Sequence, residues 1–328
     1  MEASDAIALE QNQLTLPKEK TYFTLLLIIS IILWIAVAIS IFGILYALLI
    51  GFAAWMASGL LAARLKSESV EVTPEQLPVL HAVHGEVCKK LGLEEIPAFY
   101  ILQANGLLNA FAMRHSGRNF VVINSDLLEA LGQDSPQVRF LIGHEIGHIQ
   151  RGHILKRLLL LPTLIIPLLG KAYHRACEAT CDRFGYFASG SLDGSAHGLL
   201  VLAGGKEAAP LLDPVVFARQ YHAKRGFFVS WHELAANYPT LSQRVSNILA
   251  IKDPEFSRRA PRHPLAYLCA PVFTLQTLII LYLVFIFGAM SLPVIKQAQA
   301  RAAALRAQRQ QQNQSPPDLF APPTPPVQ

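Results

Sequence analysis

The stretch PQVRFLIGHEIGHIQRGH, residues 136–153, decides the reading of this chain, and its centre is His144-Glu145-Ile146-Gly147-His148. On a helix, residues four apart share one face, so the imidazoles of His144 and His148 can bind one zinc ion. Glu145 is not placed as a third ligand. It is placed to take a proton from water held at such an ion. Val138, Phe140, Leu141 and Ile142 form the apolar run expected of a buried helix starting near Pro136, and Gly147 allows close packing.

A peptidase-type zinc site needs three protein ligands and an open position. On a continuing helix His153 would sit roughly 140° from His148 and roughly 180° from His144, pointing away from the metal. His174 and His197 lack supporting spacing. Glu178 is the better candidate, in RACEATCDR, residues 175–183. Glu178 and Asp182 are four apart and share a helical face among small apolar residues. One carboxylate can bind the ion while the other hydrogen-bonds the free nitrogen of a ligand histidine. His232-Glu233 begins like the motif, but Ala236 stands where the second histidine would be.

Composition frames the site. The 328 residues are 52% hydrophobic with a net charge of +5. That is too apolar for an ordinary soluble domain, and no basic run is interleaved with aromatics as nucleic-acid binding would require. Cys88, Cys177, Cys181 and Cys269 show no disulfide framework. Cys177 and Cys181, four apart, are either a metal pair or small apolar helix residues.

Residues 1–20 form a polar tail without the signature of a cleaved signal peptide. No charge occurs from Tyr22 to Ala63, about twice the ~20 residues one crossing needs. A transmembrane hairpin over 21–63, turning near Ser40–Gly43, is the economical solution. Residues 64–266 read as the catalytic domain. Its expected elements are a helix near 75–92, a strand at Ala98–Leu102, and a β-hairpin of Leu108–Arg114 with Asn119–Asn124. A helix capped by Ser125 or Asp126 follows. Tyr267–Leu292 is a further uncharged apolar run and a third expected span. The tail 293–328 is basic, then Pro-rich and of disordered composition.

HEIGHIQRGH, RACEATCDRFG and NYPTLSQRV together resemble the three motif blocks of membrane zinc metallopeptidases related to the heat-shock protease HtpX and the CAAX prenyl protease. The resemblance covers roughly 75–252. It implies an α+β fold, a mainly helical zincin-like catalytic domain with a small β-sheet, anchored by transmembrane helices. It implies one Zn²⁺ per chain held by His144, His148 and Glu178, with Glu145 as general base and Asp182 supporting a ligand. Arg244, in the third block, with Tyr238, is then a candidate oxyanion stabiliser. Asn109, Ala110, Phe111 and Ala112 resemble the family's edge strand beside the cleft, which would bind substrate. Two departures stand out. Tyr238 replaces a usual histidine, whose role therefore does not carry over. Better-known members also place membrane helices between the first two blocks. Here the linker is too short to cross twice, which needs about 40 residues and a turn. Leu158–Gly170 is accordingly expected at the interface or in the domain core rather than across the bilayer.

Eight basic residues flank the membrane on the catalytic side against four on the other, which favours a cytoplasmic catalytic domain, in a bacterial inner membrane by the family likeness. The expected partners are unfolded or membrane-protein substrates and the lipid bilayer, with no nucleic acid; the sequence does not specify an oligomeric state. A narrow processing protease of the CAAX type and a non-catalytic zinc-stabilised scaffold are the alternative readings.

Overall fold

Two long apolar helices open the structure, a computed structural model describing residues 13–104, 106, 108–164, 166–272, 282, 297 and 299–307. Helix α1 spans Pro17–Ile39 and α2 spans Ile41–Glu68. Ser40 alone separates them, in an extended conformation, and its hydroxyl accepts from the Gly43 amide at 3.1 Å. The turn therefore falls inside the expected Ser40–Gly43 window. Both outer ends return to one domain. Leu26 of α1 packs with Leu160, Tyr173 and Cys177, and Ala62 and Leu65 of α2 pack on the sheet. Both helices are long and apolar enough to cross a membrane.

The sheet has four strands: β1 Val70–Glu71, β2 Ala98–Leu102, β3 Ala110–His115 and β4 Arg118–Asn124, in the order β1-β2-β4-β3. Strands β2 and β4 are parallel, and the other pairs are antiparallel. The β3–β4 hairpin turns on Ser116 and Gly117, both at positive φ, the backbone a two-residue hairpin favours. Its strand β3, set slightly later than the sequence suggests, lies at the sheet edge. Between β1 and β2 runs α3, Pro78–Lys90, narrower than the expected 75–92. Helix α4, Ser125–Leu131, has Asn124 at its N-cap position rather than Ser125 or Asp126.

Helix α5, Pro136–Gln150, carries the motif. Pro136 fits its first turn, where the missing N–H costs nothing, and the Ser135 hydroxyl accepts from the Val138 amide at 3.1 Å. Val138, Phe140, Leu141, Ile142 and Ile146 are buried in the main core. Each such side chain contributes roughly 1.5–3 kcal/mol on burial.

Short helices α6, His153–Leu159, and α7, Leu161–Leu164, lead into α8, Leu169–Ser189. The Leu159 carbonyl accepts from the Ser30 hydroxyl at 2.7 Å and the Trp34 indole at 2.9 Å, which ties this segment to α1. Among the described residues of Leu158–Gly170 the chain is broken into short turns, with no continuous helix long enough to span.

Helices α9, Leu192–Ala208, α10, Pro214–Ala223, α11, Phe227–Ala235, α12, Leu241–Leu249, and α13, Pro264–Val272, complete the unit Met1–Thr274. A second unit, Leu275–Gln328, is described only in part, with 299–307 helical. The expected third span, 267–292, therefore lies outside the described residues beyond its first turns, as does most of the tail.

Candidate active site

Helices α5 and α8 cross at glycines. A Cβ on Gly143 would stand 2.4 Å from the Ala188 Cβ, and one on Gly185 would stand 2.5 Å from the Phe140 carbonyl oxygen. A Cβ on Gly147 would stand more loosely, 3.0 Å from the Phe184 Cβ and 3.3 Å from Cys181 Sγ. No side chain fits between the two backbones here, so the motif face of α5 lies directly against the face of α8 that carries Glu178 and Asp182.

The result is a compact donor set. One ligand atom from each of His144, His148 and Glu178 lies within 4.8 Å of the others. His144 Nε2 is 3.2 Å from Glu178 Oε2, and His148 Nε2 is 3.5 Å from Glu178 Oε1. All three residues are buried. Two imidazoles and a carboxylate converging on one point fit a catalytic zinc, which takes three such ligands and leaves one position open.

Each histidine is held from behind. Asp182 Oδ1 accepts from His144 Nδ1 at 2.9 Å. Arg244, on α12, grips the same carboxylate twice, Nε to Oδ2 at 2.9 Å and Nη2 to Oδ1 at 2.6 Å. On the other side, His148 Nδ1 is 3.0 Å from His153 Nδ1, and His153 Nε2 is 3.2 Å from Glu19 Oε1. Arg151 donates to that Glu19 oxygen at 3.2 and 3.3 Å. With His148 Nε2 turned toward the donor cluster, its proton sits on Nδ1 and His153 Nδ1 accepts it. The His153 proton then sits on Nε2, facing Glu19. Such outer contacts fix a ligand's tautomer and ring orientation.

His153 does not follow the continuing-helix expectation. Helix α5 ends at Gln150, and Gly152 adopts φ 63°, so α6 starts in a new direction. His153 is buried, with Cys181 Sγ 3.6 Å from its Nδ1.

Electrostatics fits this arrangement. Burial would raise the Glu178 carboxyl, but hydrogen bonds and charge from His144 and His148 hold it well below the usual range. Burial likewise opposes the Asp182 charge, and Arg244 and His144 overcome it. His144 also loses by burial, yet Asp182 and Glu178 raise its pKa to about 9, so metal uptake here must displace a proton. Burial lowers His153 to about 4 despite Glu19, which keeps the ring neutral. The Cys181 thiol is pushed well up by burial and stays protonated.

The cleft over this cluster encloses about 120 Å³ and is lined by Asn109, Ala110, Phe111, Ala112, His144, Glu145, His148, Glu178, Tyr238 and Arg244, among others. Every site residue named from the sequence lines it except Asp182, which lies one contact behind. The edge strand β3 forms one wall. Arg244 reaches this wall while its guanidinium is bonded to Asp182. Arg157, which the motif blocks did not single out, lines the cleft with Nη2 4.0 Å from Glu178 Oε1. Glu19 and the supporting role of His153 were also missed; Gly152, a common helix-stop residue, was the available signal. Glu233 of the false motif is bonded to Arg225 and Arg262 and serves structure.

Residues 74–171 match the model of peptidase family M48. The match supports an M48 metallopeptidase without resolving a subfamily. It takes in His144, Glu145 and His148 and ends before Glu178, Asp182 and Arg244. No curated protein and no solved structure matches the chain. The mainly helical fold with its small mixed sheet is consistent with M48.

Proposed function

We propose that this protein is an integral-membrane, zinc-dependent endopeptidase that cleaves unfolded or membrane proteins on the cytoplasmic side, in the manner of the quality-control members of M48. The observation that carries the reading is the cluster of His144, His148 and Glu178 beside Glu145 in a cleft walled by an edge strand.

Zinc bound there would supply Lewis acidity, polarising the scissile carbonyl and making a water molecule acidic enough to attack near neutral pH. Glu145 accepts the proton of the attacking water and delivers it to the leaving nitrogen. Asp182 and Arg244 hold the His144 ring, and His153 and Glu19 hold the His148 ring. Arg244 therefore acts chiefly through Asp182. Tyr238 and Arg157, which line the cleft, would stabilise charge developing on the carbonyl oxygen. The free edge of β3, at Asn109–Ala112, pairs with an extended substrate by strand addition, so selection falls on unfolded backbone rather than on side chains.

The membrane reading is supported by α1 and α2. Ile32, Ile35, Ile39, Ile41, Phe42, Leu45, Leu48 and Leu49 are all exposed, an apolar area that water does not tolerate and lipid does. Basic residues flanking the membrane favour a cytoplasmic catalytic domain.

The test uses the full chain, purified in detergent, as the parent and as Glu145→Gln. Both should carry zinc. The parent should degrade casein, and the variant should be slower by roughly 10²–10⁴-fold, as for removal of a general base. Cleavage by the variant at the parental rate would overturn the mechanism. A parent that holds zinc and cleaves nothing would favour a scaffold.

A further inference from the structure

A neighbouring face of α8 borders a second and larger cavity, about 580 Å³. Among the described residues it has no zinc-type donor set. Its wall instead collects Lys18 from α1, Arg175 and Arg183 from α8, and Arg258, Arg259 and Arg262 from the segment leading into α13. Among the described residues Asp182 is the one acid in the wall, and it is already bonded to Arg244 and His144.

The partners of these cations leave the cavity electropositive. Arg262 is paired with Glu233 at 3.0 Å. Among the described residues Arg175 hydrogen-bonds only neutral carbonyls, of Leu234 at 3.1 Å and Ala236 at 2.7 Å, and the Glu233 carboxylate near it is already shared by Arg225 and Arg262. Burial and the nearby Arg262 charge push Arg175 down to about 10. Arg183 is half-buried, and among the described residues no carboxylate offsets that burial. Arg258 and Arg259 are exposed at the rim. A partly desolvated guanidinium without an anion is unfavourable, and a phosphate would relieve it with paired, charge-assisted hydrogen bonds.

The position of the cavity names the source of that phosphate. Tyr22, where the uncharged run of α1 begins, lines it, and so does Tyr267, where the C-terminal uncharged run begins. Tyrosines at the ends of apolar spans mark headgroup depth. Basic pockets at that depth recognise anionic headgroups.

We propose that this cavity binds the phosphate of an anionic membrane lipid. The anion site rests on the cavity itself. The lipid source rests on the membrane reading given above.

The test uses full-length protein in nonionic detergent, with bound molecules counted by native mass spectrometry. The probes are short-chain phosphatidylglycerol, short-chain phosphatidylcholine and inorganic phosphate. One phosphatidylglycerol should bind per chain, more tightly than phosphatidylcholine or inorganic phosphate. Arg183→Gln with Arg259→Gln should weaken it on the order of 30-fold, given about 1 kcal/mol per basic residue. The charge-matched control Lys89→Gln with Arg219→Gln should bind as the parent does. Should Arg183→Gln impair folding, the exposed pair Arg258→Gln and Arg259→Gln takes its place. Equal binding of the two lipids, or no loss in either Arg variant, overturns the anion site. Inorganic phosphate binding as tightly as phosphatidylglycerol overturns the lipid source and leaves a soluble phosphate ligand. Failure of the protein to float with phosphatidylcholine vesicles would count against the membrane reading, without bearing on the phosphate arm.

Discussion

His148 and His153 face each other through their Nδ1 atoms at 3.0 Å, and this contact makes the second histidine a support for the first. Asp182 does the same for His144 at 2.9 Å. Both supports end on an arginine-bound carboxylate, Asp182 on Arg244 and Glu19 on Arg151.

Loss of either support should weaken the metal without abolishing it. His153→Ala and Asp182→Asn are each expected to lower zinc affinity or activity by roughly 10–100-fold, the range for outer contacts of metal ligands. Glu178→Ala, which removes a proposed ligand, should lose zinc altogether. Chelator competition on the purified variants measures this. Zinc binding as tight in His153→Ala as in the parent would reduce His153 to a packing residue.

Gly185→Ala should be destabilising. The new methyl would lie 2.5 Å from the Phe140 carbonyl oxygen, a backbone atom that cannot swing aside. Overpacking of this kind costs about 1–3 kcal/mol. The variant should unfold at lower denaturant concentration and bind zinc less tightly, since the helices bearing the proposed ligands are forced apart. A parental unfolding midpoint would contradict the close crossing.

His84 should make the fold sensitive to mild acid. It is buried against Phe99, and burial lowers its pKa to about 4 from an ordinary 6.5. Between those values the unfolded chain holds a proton that the folded chain does not. Stability is therefore full above pH 6.5 and declines as the pH falls toward 4, by up to about 3 kcal/mol. His84→Leu should make that decline shallower in metal-free protein. The carboxylates Glu178 and Asp182, with lowered pKa values, lose their contributions at still lower pH. An unchanged slope between pH 6.5 and 4.5 in the variant would exclude His84 as a source.

Gln150 and Lys171 should lie on one side of the membrane. Among the described residues the chain between them turns through α6 and α7 and forms no spanning helix. Single cysteines at the two positions, with the native cysteines removed, should react with an impermeant thiol reagent from the same side of sealed vesicles. Labelling from opposite sides would break the topology and with it the pairing of His148 with Glu178.

Much of the candidate site was legible because helical periodicity is local. His144 with His148, and Glu178 with Asp182, share faces at a spacing of four whatever surrounds them. The hairpin was legible for the same reason, since Ser116 and Gly117 supply the turn. The strand bounds and the α4 cap were off by a residue or two because end positions depend on tertiary contacts. His153 was misdirected because its orientation depends on a single left-handed residue, Gly152, that ends one helix and starts another. Glu19 could not be found by spacing at all. It reaches His153 across about half of the unit Met1–Thr274, through packing of an apolar helix that periodicity reads only as a membrane anchor.

The crossing at Gly143 and Gly185 also bears on what the site can tolerate. Its separation is set by main chain resting on main chain, which has no rotamers to relax. Side chains elsewhere in the core can be exchanged and repacked while the distance from histidines to glutamate stays fixed. The same contact leaves little room for gradual adjustment: His144, His148 and Glu178 keep one spacing, or the two helices part and the donor set comes undone.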